Sequence, residues 1–62
     1  MWGIFYKETD NLDHDPEPMV FKKRDTALMA LQSGYGYVGI QDDYYIRELT
    51  EEEEDEYKEW LL

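Results

Sequence analysis

Sixty-two residues, no cysteine, 42% apolar content and a net charge of −10 describe one small acidic domain, residues 1–62. A chain this short hides only about 60% of the surface its unfolded form exposes, which excludes a deep cleft between subdomains. Without cysteine there is no disulfide framework, thiol nucleophile or cysteine–zinc site, and sixteen acidic against six basic residues oppose contact with nucleic acid, anionic lipid or phosphate-rich substrates.

Two Trp, six Tyr and two Phe supply more aromatic surface than a disordered acidic tail carries, so the chain is expected to fold. No apolar run reaches the roughly 20 residues of a membrane span. The Met1 end reads into a strand pattern rather than a signal peptide, and a cytoplasmic setting follows.

Residues Trp2 to Lys7 predict a strand, with Trp2, Ile4 and Tyr6 on one face and Gly3, Phe5 and Lys7 on the other. Glu8 to Pro18 collects turn formers and breakers and predicts a loop. Met19 to Lys22 suits a second short strand, after which Asp25 is the expected N-cap of a helix through Ala27 and Leu31 that stops at Gly34. Tyr35–Ile40 and Tyr44–Leu49 read as two strands of a hairpin joined by Gln41, Asp42 and Asp43. Thr50, followed three residues later by Glu53, forms a capping box for a last helix. In that helix Tyr57, Trp60 and Leu61 share the face that would dock on the sheet. The order β-β-α-β-β-α predicts an α+β fold in which two helices cover one face of a small antiparallel sheet.

Few residues offer reaction chemistry. Gly34, Gly36 and Gly39 match G-x-G-x-x-G, but they follow a helix instead of joining a strand to one, so they read as a helix stop and a glycine-tolerant strand or bulge. Asp13, Asp15 and Glu17 alternate like calcium-loop ligands, yet Pro18 and Arg24 stand where the turn glycine and the bidentate Glu belong. His14 is the sole imidazole, flanked by Asp13 and Asp15, but no nucleophile motif or second His accompanies it. No cofactor and no catalysis are expected. Lys22, Lys23 and Arg24, the only basic cluster, are expected to balance acidic elements within the fold or at a self-association surface.

The six carboxylates from Glu51 to Glu56 are the most informative feature. Along a helix they fall about 1.5 Å apart, close to the charge of about one per 1.7 Å along duplex DNA. Dipole stabilisation fades after the first turn and does not account for Glu54, Asp55 and Glu56. Asp42, Asp43 and Glu48 extend the field if the hairpin lies beside the helix.

In size, charge and clustering, with TEEEEDEYKE from Thr50 to Glu59 and the acidic segment Glu8 to Glu17, the sequence resembles the small acidic inhibitors encoded by bacteriophages, including DNA mimics. The resemblance implies a non-enzymatic protein that blocks a basic host protein, such as a nucleoid protein, polymerase or nuclease. Its contact residues would be Asp42, Asp43, Glu48, Glu51, Glu52, Glu53, Glu54, Asp55 and Glu56. The alternative is a structural or assembly module that packs through exposed aromatics, with a homodimer contact drawn from Trp2, Phe5, Tyr35 and Tyr37.

Overall fold

A computed structural model describes residues 1–14 and 17–61 of the chain, with Leu61 as backbone only. The fold is α+β, a small antiparallel sheet with two helices. Strand β1, Trp2–Tyr6, is central, and β4, Tyr44–Glu48, pairs along its whole length with Ile4 opposite Ile46. The ladder continues past both ends, where Lys7 N–H donates to Asp43 O (2.9 Å) and Leu49 N–H to Met1 O (2.8 Å).

The other edge of β1 is shared by two short strands. Strand β2, Asn11–Leu12, sets Leu12 against Phe5, and β3, Val20–Phe21, sets Val20 against Gly3. Between them Ile4 is matched twice: its carbonyl accepts from Asp13 N–H (2.9 Å) and its N–H donates to Met19 O (3.0 Å). Met19 N–H closes the gap by donating to Asp13 O (3.0 Å), so β2 and β3 form one edge line interrupted between these two residues. The interruption is pinched by a bridge between His14 and Pro18. Pro18 is tolerated because an edge residue need not donate to the ladder.

The turn from β1 to β2 ends on Asp10 at φ 58, a left-handed conformation that Asp adopts more readily than most residues.

Helix α1, Arg24–Ala30, begins one residue before the expected cap: Lys23 is the N-cap, without a side-chain bond, and Asp25 sits inside the first turn, where it opposes the helix dipole. The expected stop at Gly34 does not occur. The helix widens into a π turn over Leu31–Tyr35, with Gly36 N–H donating to Leu31 O, and continues helically through residues 36–37. It ends at Gly39 (φ 78), where Gly39 N–H bonds Gly36 O (3.1 Å) and Ile40 N–H bonds Tyr35 O (3.0 Å). That pair of bonds is a Schellman stop, and its left-handed position suits glycine. The strand expected over Tyr35–Ile40 is therefore absent. Gln41–Asp43 is a 3₁₀ turn leading into β4, and β4 pairs with β1 instead of closing a hairpin on its predecessor.

The helices lie on opposite faces of the sheet, not on one. Paired residues point to the same side, so Trp2, Ile4, Tyr6, Tyr44 and Ile46 form one face. There Arg24 of α1 lies over the Trp2 ring, 5.9 Å from its centroid, and Tyr35 packs on Tyr44 with centroids 4.7 Å apart. The other face carries Gly3, Phe5, Leu12, Val20, Tyr45 and Arg47. Phe5, Val20 and Leu49 form its buried cluster, against which Tyr57 of α2, Glu51–Tyr57, packs. Ile4 and Phe5 are the largest fully buried side chains, one for each face, and each burial contributes about 1.5–3 kcal/mol. Gly3 lets Leu12 and Leu49 approach, since a Cβ there would stand 2.7 Å from Leu12 Cδ1 and 3.2 Å from Leu49 Cδ2.

Two further expectations are corrected. Tyr57 docks, but Trp60, in the 3₁₀ turn Lys58–Leu61, is 53% exposed, and the side chain of Leu61 lies outside the described residues. Of the aromatics proposed for a homodimer contact, Phe5 and Tyr35 are buried within the chain, Trp2 is half-buried and only Tyr37 is open to solvent.

Candidate functional site

The capping box at Thr50 forms as its spacing predicts. Glu53 N–H donates to Thr50 Oγ1 (3.3 Å), and Thr50 N–H donates to Glu53 Oε1 (2.9 Å). Glu53 has a second task that spacing alone does not show: its two oxygens accept from Arg47 Nη1 and Nη2, each at 2.8 Å. The guanidinium rests over the Phe5 ring, 3.8 Å from its centroid. These Arg47 bonds, joined by the Thr50 backbone bond, pull the Glu53 carboxyl down to about 2. Hydrogen bonding to Glu53 raises the Arg47 pKa in turn. Glu53 thus holds α2 to the sheet, with its charge balanced by Arg47.

The other carboxylates of α2, Glu51, Glu52, Glu54, Asp55 and Glu56, are exposed. Glu51, Glu54 and Asp55 line an open polar hollow of about 340 Å³. Among the described residues these carboxylates make one ion pair, Lys58 Nζ to Asp55 Oδ1 at 3.8 Å, and Lys58 does not pair with Glu54. Glu48 ends β4 on the side from which α2 starts. Asp42 and Asp43 are exposed but precede β4 at its other end, separated from α2 by a strand rising about 3.3 Å per residue. The hairpin that would have brought them beside the helix does not form.

The acidic segment near the N-terminus is largely used internally. Tyr6 Oη donates to Glu8 Oε2 (2.8 Å), Tyr45 Oη to Asp10 Oδ1 (2.9 Å) and Tyr35 Oη to Asp13 Oδ2. Bonding to these carboxylates raises the pKa of Tyr6 and of Tyr45. Sequence reasoning had no signal for these pairs, which join residues up to 35 positions apart. The Asp13 carboxylate is thereby occupied, Asp15 lies outside the described residues, and among the described residues no group of three or more His, Asp or Glu is arranged to hold a metal ion.

His14 is exposed, with Nδ1 3.0 Å from Leu12 O and its ring 6.1 Å from that of Tyr57. Among the described residues Lys22 and Lys23 make no ion pair, and Arg24 is engaged with Trp2. No helix is long and apolar enough to cross a membrane among the described residues.

A second surface has a different character. Met19, Gly34, Tyr35, Val38 and Ile40 line an open cleft of about 260 Å³ where the end of the α1 helix meets the interrupted edge. Val38 is 61% and the neighbouring Tyr37 90% exposed. The sequence reading missed this cleft because it placed these residues in a strand. No protein family model, curated protein or solved structure matches the chain.

Proposed function

We propose that the protein is a non-enzymatic, cytoplasmic, acidic inhibitor that presents α2 to a basic nucleic-acid-binding protein, in the manner of the phage-encoded DNA mimics it resembles. The observation that carries this reading is the density of exposed charge on α2. Glu51, Glu52, Glu54, Asp55 and Glu56 are exposed along a helix of seven residues. At about 1.5 Å of rise per residue they fall about one per 2 Å of axis, against about one per 1.7 Å for duplex DNA. Charge of this density is costly through self-repulsion unless a cationic partner uses it.

The test is displacement of a labelled DNA duplex from basic host proteins at low salt, with the protein itself showing no affinity for DNA. A variant carrying Glu52→Gln, Glu54→Gln and Asp55→Asn keeps Glu53 and the cap, and is expected to lose the competition. If the folded amide variant displaces DNA as well as the parent, mimicry is rejected.

The exposure of Tyr37 and Trp60 favours a second reading, an assembly module kept soluble by its acids. On that reading self-association strengthens as salt screens like charge, and a sedimentation series at increasing salt separates the two.

A further inference from the structure

We propose that the cleft lined by Met19, Tyr35, Val38 and Ile40 is the docking site for a cationic amphipathic segment of a partner protein, which inserts one bulky apolar side chain. The cleft is on the face of the sheet opposite α2 and does not depend on DNA mimicry.

Its size points to an anchor side chain. Small-molecule pockets run to roughly 300–1,000 Å³ and enclose most of their ligand, whereas this open cleft holds about 260 Å³. That is ample for one large aliphatic or aromatic group, given that a cavity of about 150 Å³ takes up benzene. Its walls are also built to persist. The π turn sets Tyr35 inward against Tyr44 and Asp13, and the Schellman bond from Ile40 N–H to Tyr35 O fixes the opposite wall. Such π turns recur at functional positions in helices.

Charge selects the occupant. No Lys or Arg occurs from Glu8 to Phe21 or from Asp25 to Ile46, the two stretches that supply the cleft and its surroundings. Exposed Glu17 lies two residues along the chain from Met19, and exposed Asp42 and Asp43 follow Ile40 in the next 3₁₀ turn. Lys7, whose N–H bonds Asp43 O, is the basic residue nearest this end in the backbone ladder. A second copy of the chain, at −10, is repelled, whereas a helix with apolar groups three and four residues apart and Lys or Arg around them matches both the apolar lining of the cleft and the negative charge of the stretches that supply it.

The probe is a short helical peptide of lysine and leucine, compared with one of the same charge in which alanine replaces leucine. Both are titrated into the full chain while the methyl resonances of Met19, Val38 and Ile40 are followed. The leucine peptide should shift these methyls saturably and bind about tenfold more tightly than the alanine peptide, the gain expected from burying one such side chain. Val38→Glu adds negative charge while placing a carboxylate in the cleft. It should abolish the leucine advantage, whereas the amide variant of α2 should retain it.

Equal affinity for the two peptides, unmoved methyls, or tighter leucine-peptide binding by Val38→Glu would overturn the proposal and leave only general electrostatic attraction. Loss of the leucine advantage in the α2 amide variant would move the anchor to α2 and also overturn it. A dimer of the unliganded protein that Val38→Glu dissociates would assign the cleft to a second copy, again against the proposal. Should Val38→Glu fail to fold, the methyl shifts and the peptide comparison on the unmodified chain decide alone. Failure of DNA displacement bears on α2 and leaves these readouts unaffected.

Discussion

The Tyr35 hydroxyl donates to the carboxylate of Asp13, 22 residues earlier in the chain, and joins the widened end of the α1 helix to the break in the sheet edge. Asp13 also bonds Ile4 and Met19 through its backbone, so one residue ties the central strand, the edge and the helix together. Tyr35→Phe keeps the ring and removes the bond. It is expected to cost about 1.5–3 kcal/mol, the usual range when one partner carries charge, and to lower the denaturant midpoint. An unchanged midpoint would mean that water replaces the hydroxyl without loss.

Two glycines in the same segment should respond with opposite signs. Gly34 lies in the helix with nothing beyond its chain neighbours and the helix's own backbone within 4 Å of a prospective Cβ, so Gly34→Ala is expected to stabilise by about 0.4–1 kcal/mol through the unfolded chain. Gly39, at φ 78, also has open space, but its backbone is one that L side chains rarely adopt and Ala adopts only with strain. Gly39→Ala is expected to destabilise by about 1–2 kcal/mol. Thermal melts of both variants check this; a destabilising Gly34→Ala would restore Gly34 as the helix stop.

Acid should loosen α2 through Glu53. Its carboxyl is held at about 2 in the fold against 4.5 for the ordinary group, so the stability it contributes is present above pH 4.5 and lost as pH falls toward 2. The interval sets a ceiling of about 3 kcal/mol. With the Arg47 and Glu53 side chains 35% and 28% exposed, screening leaves about 1–2 kcal/mol. Parent and Glu53→Gln should therefore differ in stability at neutral pH and converge near pH 2, as measured by urea unfolding across that range. A constant difference would show that the ion pair contributes nothing that titrates.

Thr50→Ala removes the acceptor for Glu53 N–H and is expected to cost about 0.5–2 kcal/mol. Chemical denaturation gives the number. An unchanged midpoint would mean that α2 is not coupled to the core.

The legible parts of the sequence were those governed by local chemistry. The capping box is set by Thr50 and Glu53 alone, and the period-2 spacing of Trp2, Ile4 and Tyr6 marks β1. Tyr35–Ile40 was misread because β-rich composition lost to two contacts invisible in the sequence, Tyr35 on Tyr44 and Tyr35 to Asp13, and to a left-handed stop available at Gly39. Two helices were expected on one face because the apolar residues on the second face of β1, Gly3 and Phe5, offered no sign that they had their own helix to bury them. In the candidate site, the exposed acids of α2 follow from the sequence, whereas the pairing of Glu53 with Arg47 depends on a contact that the sequence does not show. The apolar cleft was hidden by the same misreading that produced the missing strand.

Because Ile4 is satisfied from both sides of the break, the register of β2 and β3 does not depend on how much chain runs between Asp13 and Met19. Added length there meets only loop-closure entropy, about 0.6 kcal/mol for each doubling. The seam at Ile4 is thus a natural port for grafted sequence: an epitope or tag added between Asp13 and Met19 would leave both edge segments in place.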